Sequence, residues 1–294
     1  MISKDEPLLP SLIEIASRSE SKGSVLAGGL GLRLKREYLK SNGATELFKN
    51  LPEIRATSDI DLFLRIDLWV YKEEAIKFRA MLKELNYEPV EGRENWQFEK
   101  PQLGLPNNKL ILDLMARNPL DEEKVKTHAP RVGVGKSTGI HGHVTPEAFA
   151  IEELPITVPI GEINSTVLIA HPYAYLNLKV QAANDWAEEM AGKIKSKVDP
   201  DSGERLRLKH VTDVYMIVGM LTQEELADAR KLAKKYEGHS KAKSIRESAR
   251  NLYGNREAYG CAAIRAHNGG ELAADFDKNY EYFWDALSQA LGVG

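Results

Sequence analysis

Two stretches of this 294-residue chain carry acidic side chains inside otherwise apolar runs: Ser58-Asp59-Ile60-Asp61-Leu62-Phe63-Leu64 and Leu110-Ile111-Leu112-Asp113-Leu114-Met115. Both runs read as β-strands. Residues i and i+2 of a strand point to the same face, so Asp59 and Asp61 project side by side. Three carboxylates converging on one end of a sheet repel each other unless cations sit among them. Hard divalent cations take oxygen ligands, and Mg²⁺ commonly binds through a few carboxylates plus phosphate oxygens. The pattern therefore demands a sheet that brings distant strands together, and it points to metal-dependent chemistry on phosphate groups. Asp67 and Asp121 are near enough in sequence to compete for the place given to Asp113.

The length and a hydrophobic content of 43% suit one large domain or two ordinary ones. No apolar run approaches the roughly 18 residues of a membrane span, so none is expected. The N-terminal Met1-Ile2-Ser3-Lys4-Asp5-Glu6 lacks the basic-then-apolar order of a signal peptide. A single cysteine, Cys261, excludes an intrachain disulfide and fits a cytoplasmic protein. A formal charge of −3 provides no global case for nucleic-acid binding. Locally, Lys193, Lys195, Lys197, Arg205, Arg207 and Lys209 cluster, diluted by Asp199, Asp201 and Glu204. That cluster reads either as a solvated face or as a set of phosphate contacts to RNA.

Hydrophobic periodicity organises the rest. Helices are expected over 7–19, 30–40 and 71–85, the last with Ile76, Met81, Leu82 and Leu85 as its core face. Strands are expected over 25–27, 58–66, 95–99, 109–115, 156–160 and 166–169. After His171-Pro172 the strand patterns stop. Helices are expected over 172–186, 204–220, 241–253 and 271–291, and Thr222-Gln223-Glu224-Glu225 is a capping-box signature opening another. The expected fold class is α+β, with a mixed-sheet domain over 1–170 and a helical bundle over 171–294.

The run Val25-Leu26-Ala27 ends in Gly28-Gly29 and opens a helix. Two residues without a Cβ admit a close backbone approach, and a helix N-terminus offers free N–H groups to an anion. A Gly-Gly turn, then Asp-x-Asp, then a later single Asp resembles the DNA polymerase β-like nucleotidyltransferase superfamily. The stretch Arg55-Ala56-Thr57-Ser58-Asp59-Ile60-Asp61-Leu62 is similar to one branch of it, the abortive-infection (AbiEii-type) nucleotidyltransferases, several of which are toxins of toxin–antitoxin pairs. His171-Pro172-x-x-Tyr175-x-x-x-Lys179-x-x-Ala182 resembles that branch's lysine helix, and Lys209-His210-x-x-Asp213 its later motif. The resemblance covers about residues 24 to 220.

The resemblance implies a polymerase β-like mixed sheet flanked by helices, followed by a C-terminal helical bundle. It implies transfer of a nucleoside monophosphate from an NTP to an acceptor hydroxyl, on the 3′ end of a tRNA or on a protein. Asp59, Asp61 and Asp113 would ligate Mg²⁺ or Mn²⁺ and, with Lys179, form the catalytic set. Gly28, Gly29, Arg55, Ser58, Lys179, Lys209, His210 and Asp213 would contact the nucleotide. A cognate antitoxin protein is the partner implied for a toxin. The alternative is a family-like module that binds nucleotide without turnover. Leu30 stands where many members have Ser or Thr, Gly31 replaces the usual Ala, and the distance from Gly29 to Asp59 is long, as an insertion near 40–52 would explain.

The residues of the helical half also stand on their own pattern. Leu176, Lys179, Val180 and Ala183 share one helix stripe, and a lysine on an apolar face needs either a paired charge or a route to solvent. Lys209, His210 and Asp213 share a helix side, which a surface salt bridge would equally explain, with Val211, Val214, Tyr215 and Val218 as that helix's core. Gly133-Val134-Gly135-Lys136-Ser137-Thr138 lacks the first glycine of a P-loop, since Pro130 occupies that place, and reads as a basic loop. His128, His141 and His143 lack the spacing of a structural zinc site. Trp69, Trp96, Trp186 and Trp284 read as core or interface residues.

Overall fold

A computed structural model describes residues 6–18, 23–49, 51–54, 57–66, 71–120, 123, 125, 127–128, 131–133, 138–161, 165–192, 200–267 and 270–294. Among these the protein is α+β, with ten strands in one mixed sheet and nine α-helices. No helix among the described residues is long and apolar enough to cross a membrane. The chain divides into two compact units, one of residues 1–43 and 54–171, the other of residues 44–53 and 172–294.

The first unit runs α1 (Leu9–Arg18), β1 (Ser24–Leu26), α2 (Gly28–Ser41), β2 (Asp59–Leu64), α3 (Lys72–Glu84), β3 (Glu88–Pro89), β4 (Gln97–Pro101), β5 (Lys109–Ala116), β6 (Thr127–His128), β7 (Arg131–Val132), β8 (Gly142–Val144), β9 (Ile156–Ile160) and β10 (Ser165–Ile169). The sheet order is β6-β7-β8-β5-β2-β1-β10-β9, with β4 also on β5 and β3 on β4. β2 and β5 are parallel, while β1 pairs antiparallel with β2 and parallel with β10.

Alternation explains which face is the core. On β5, Leu110, Leu112, Leu114 and Ala116 are fully buried, while Ile111, Asp113 and Met115 on the opposite face are only partly so. On β2, Ile60, Leu62 and Leu64 are buried and Asp59 and Asp61 are half-buried. Burying the apolar rows against helices therefore turns all three carboxylates to the other side of the sheet.

Two expectations shift. Ile76 does not belong to the core face of α3 and is 44% exposed, whereas Ala75, Phe78, Met81 and Leu82 are buried. Each helical residue turns about 100°, so the stripe Ala75-Phe78-Leu82 excludes its neighbour Ile76. The strand expected from Asn95 begins at Gln97 instead, because a tight turn precedes it: the N–H groups of Trp96 and Gln97 both donate to Arg93 O, at 3.1 and 3.0 Å.

The second unit contains α4 (Pro172–Met190), α5 (Pro200–Gly219), α6 (Gln223–Lys235), α7 (Ser240–Tyr253), α8 (Tyr259–His267) and α9 (Gly270–Leu291). Thr222 and Glu225 make both bonds of the expected capping box, at 3.0 and 3.2 Å. An aromatic cluster fills the bundle, with Phe276 and Phe283 lying 5.3 and 5.6 Å from the Tyr215 ring. The segment 44–53, which reads in sequence as an insertion, belongs to this unit. Leu47 and Phe48 N–H donate to Leu221 and Gly219 carbonyls at 3.0 and 3.1 Å. Gly219 admits the segment, since a Cβ there would lie 2.4 Å from Leu51 and 2.8 Å from Phe48.

Candidate metal centre

The parallel pairing of β2 and β5 places Asp61 directly opposite Asp113, with Asp59 on the same face two residues earlier. One ligand oxygen from each of the three carboxylates lies within 4.8 Å of the others. All three are half-buried, and no other set of three His, Cys, Asp or Glu residues gathers this way among the described residues. The residues expected to form the trio thus come together. The rivals Asp67 and Asp121 lie outside the described residues.

Each carboxylate is held by a different device. The hydroxyl of Thr57 donates to Asp59 Oδ1, as does the Ser58 backbone N–H at 3.2 Å. Asp113 Oδ1 accepts from Gln97 Nε2 at 2.6 Å. Burial is the main cause that pushes the Asp113 carboxyl up to about 6, with the Asp59 charge adding to it and the Gln97 hydrogen bond and Arg93 opposing it. Asp61 is seated by Gly28. A Cβ at Gly28 would lie 1.7 Å from Asp61 Oδ2, and Gly28 has φ +66, a conformation that favours glycine. The Ala27 N–H donates to Asp61 O at 2.9 Å, tying the turn to the strand.

This changes the meaning of the Gly-Gly turn. The sequence reading has Gly28 and Gly29 clear space for phosphates. The space cleared by Gly28 is filled by a carboxylate of the same unit, and a Cβ on buried Gly29 would press on Thr57 at 3.1 Å. Both glycines therefore let the acidic strand approach the start of α2. That start has no side-chain cap, and its first helical hydrogen bond runs from Gly31 N–H to Ala27 O. Helix starts of this kind leave N–H groups for an anion. Leu30 is fully buried.

The helical candidates gather in the second unit. Lys179 on α4 pairs with Asp213 on α5, Nζ to Oδ2 at 2.7 Å, both side chains about nine-tenths buried. His210 Nδ1 lies 4.0 Å from the same oxygen. Leu176, Val180 and Ala183 beside Lys179 are fully buried, so the lysine is held by a charge in an apolar setting and does not snorkel. Lys209 is half-buried on α5. Arg55, Lys136 and residues 193–199 lie outside the described residues, as do the side chains of His128 and of residues 200–208.

Sequence reasoning missed Thr57 as the Asp59 partner, and missed Gln97 and Arg93 altogether. Thr57 sits beside the acidic motif and was legible as a hydroxyl there. Nothing local marks Gln97, which matters because β4 pairs it across from Asp113. His143 stacks on Trp96 with centroids 4.8 Å apart, and burial holds its imidazole below the ordinary value. His141 is held at about 4 by burial, with Arg131 and His143 adding to the shift. Compared with protein-family models, curated proteins and solved structures, the chain matches none of them.

Proposed function

We propose that this chain is a metal-dependent nucleotidyltransferase with a polymerase β-like sheet. It would move a nucleoside monophosphate from an NTP to an acceptor hydroxyl, on a tRNA 3′ end or a protein. The observation that carries the reading is the convergence of Asp59, Asp61 and Asp113 within 4.8 Å beside a glycine-opened helix start. A donor set of carboxylate oxygens fits a hard cation such as Mg²⁺ or Mn²⁺. Asp59, Asp61 and Asp113 would hold the cation, which would supply activation of the acceptor hydroxyl and charge neutralisation at the departing pyrophosphate.

The chain's own residues divide the remaining work. Thr57 and Ser58 orient Asp59 by hydrogen bonds, and Gly28 gives Asp61 its place. Asp113, which stands with Asp59 and Asp61 around the proposed cation, is the proposed acceptor of the hydroxyl proton. The acceptor oxygen bonds to the α-phosphorus, the bond to the β-phosphate oxygen breaks, and pyrophosphate leaves. The N–H groups at the start of α2 suit the phosphates. Lys179 is proposed as a phosphate contact, and its Nζ is held by Asp213 at 2.7 Å. Toxin status, with an antitoxin as partner, belongs to the same proposal.

The test is incubation with each labelled NTP, Mg²⁺ and total cellular RNA or lysate. Labelled acceptor is expected, and it is lost in the Asp59→Ala and Asp61→Ala variants. Equal labelling by those variants sinks the assignment. A second reading, nucleotide binding without turnover, is favoured by Leu30, buried where a phosphate-contacting hydroxyl would stand. Calorimetric NTP binding with no labelled product would decide for it.

A further inference from the structure

Across three neighbouring strands, Asp61, Asp113 and Gln97 occupy one register line. Directly paired residues in adjacent strands point to the same face, so Gln97 stands beside the carboxylate trio as its only described amide neighbour in that row. Its carboxamide is held at both ends. Arg93 Nη1 donates to Gln97 Oε1 at 3.0 Å, and Gln97 Nε2 donates to Asp113 Oδ1 at 2.6 Å. Arginine has only donors and an ionised carboxylate only accepts. The amide oxygen must therefore face Arg93 and the NH₂ must face Asp113, so the network itself fixes which way the amide points.

Arg93 is fixed in turn. The turn in which Trp96 and Gln97 N–H both donate to Arg93 O brings its side chain back beside Gln97. Its guanidinium lies 5.5 Å from the centroid of the Trp96 ring, which stacks on His143. Trp96 O accepts the Leu114 N–H at 2.7 Å, locking the turn to β5 one residue beyond Asp113. A chain of contacts thus runs from a rigid aromatic pair to one oxygen of a candidate metal ligand.

We propose that Gln97 is a positioning residue for Asp113, and that Arg93 positions Gln97. Gln97 occupies one oxygen of Asp113 and leaves the other for a divalent cation, with the carboxylate plane set before the cation arrives. This rests on the metal-centre reading above. Removing such an outer partner commonly weakens metal affinity about 10–100-fold.

The probe is Mn²⁺ alone, titrated into the full chain and followed by electron paramagnetic resonance, with apo-protein melting measured in parallel. Wild type is expected to bind and Asp59→Ala to lose binding. Gln97→Met, which keeps the bulk and removes both hydrogen bonds, is expected to bind at least about 10-fold more weakly at an unchanged apo melting temperature. Arg93→Met, which frees the amide to turn, is expected to lose a few-fold. Wild-type affinity in Gln97→Met overturns the positioning role and leaves the metal centre standing. No Mn²⁺ binding by wild type removes the metal centre and this role with it. Should Gln97→Met fail to fold, Arg93→Met decides, and wild-type affinity there overturns the proposal.

Discussion

Among the described residues, two gatherings of charged side chains are built in opposite ways. In the first unit three carboxylates of like sign face one another within 4.8 Å. In the second, Lys179 and Asp213 neutralise each other at 2.7 Å among buried apolar side chains. Like charges brought together cost free energy, and Asp113 responds by holding its proton to about 6, mainly through burial with Asp59 contributing. An opposite pair satisfies itself and needs no ligand to be stable. Gathered carboxylates are thus an arrangement that a cation completes, whereas a closed ion pair is first a piece of structure.

The largest expected effect tests the closed pair. Lys179→Met leaves Asp213 buried without its lysine, which costs about 3–5 kcal/mol, and Asp213→Leu costs a similar amount. The double variant Lys179→Met/Asp213→Leu is expected to recover most of that loss, because well-packed apolar replacements of an ion pair are often neutral. Chemical denaturation measures all three, and a double variant as unstable as the singles breaks the comparison. A folded double variant that fails to label an acceptor labelled by the wild type would give the pair a role beyond structure.

Next comes the seat of the carboxylates. Gly28→Ala imposes both a left-handed φ on alanine and a clash with Asp61 Oδ2. A loss of about 2–4 kcal/mol is expected, together with loss of divalent-cation binding as Asp61 is displaced. Full cation affinity in Gly28→Ala would show that the close approach has no functional consequence.

The smallest effect is the pH response of Asp113. Its folded-state pKa lies above the unfolded value of 3.8, so the native state holds more protons between about pH 4 and 6. Stability of the apo protein from this group therefore falls as pH rises through that window. His141, held at about 4, acts in the opposite direction and loses stability as pH falls below its ordinary value of 6.5. Asp113→Asn should remove the Asp113 contribution and stabilise the apo protein at pH 7 by about 1–3 kcal/mol. The proposed metal centre further predicts that Mg²⁺ raises the melting temperature of the wild type and leaves that of Asp113→Asn unchanged. Unchanged stability at pH 7 would place Asp113 in a less strained setting than its neighbours suggest.

Much of this was legible along the chain. Asp59, Asp61 and Asp113 interrupt apolar runs, and strand alternation turns Asp59 and Asp61 to one face of their strand. The stripe Leu176-Lys179-Val180-Ala183 marked a lysine that needed a partner, and Thr222 with Glu225 marked a helix start. The limits were equally specific. Ile76 looked like core because a short helix tolerates two readings of its apolar face. Helix α8 escaped notice because Tyr259–His267 is short.

By itself the sequence determined which side chains share a face within the strands and most of the helices, since bond geometry sets periods of 2 and 3.6 residues over a few positions. Only the tertiary structure decided what those faces meet. Strand register aligned Asp61, Asp113 and Gln97, close packing made Gly28 a seat for Asp61, and helix pairing gave Lys179 to Asp213 in place of a partner on its own helix. Those choices are set by burial of apolar surface between segments far apart in the chain, which no local pattern encodes.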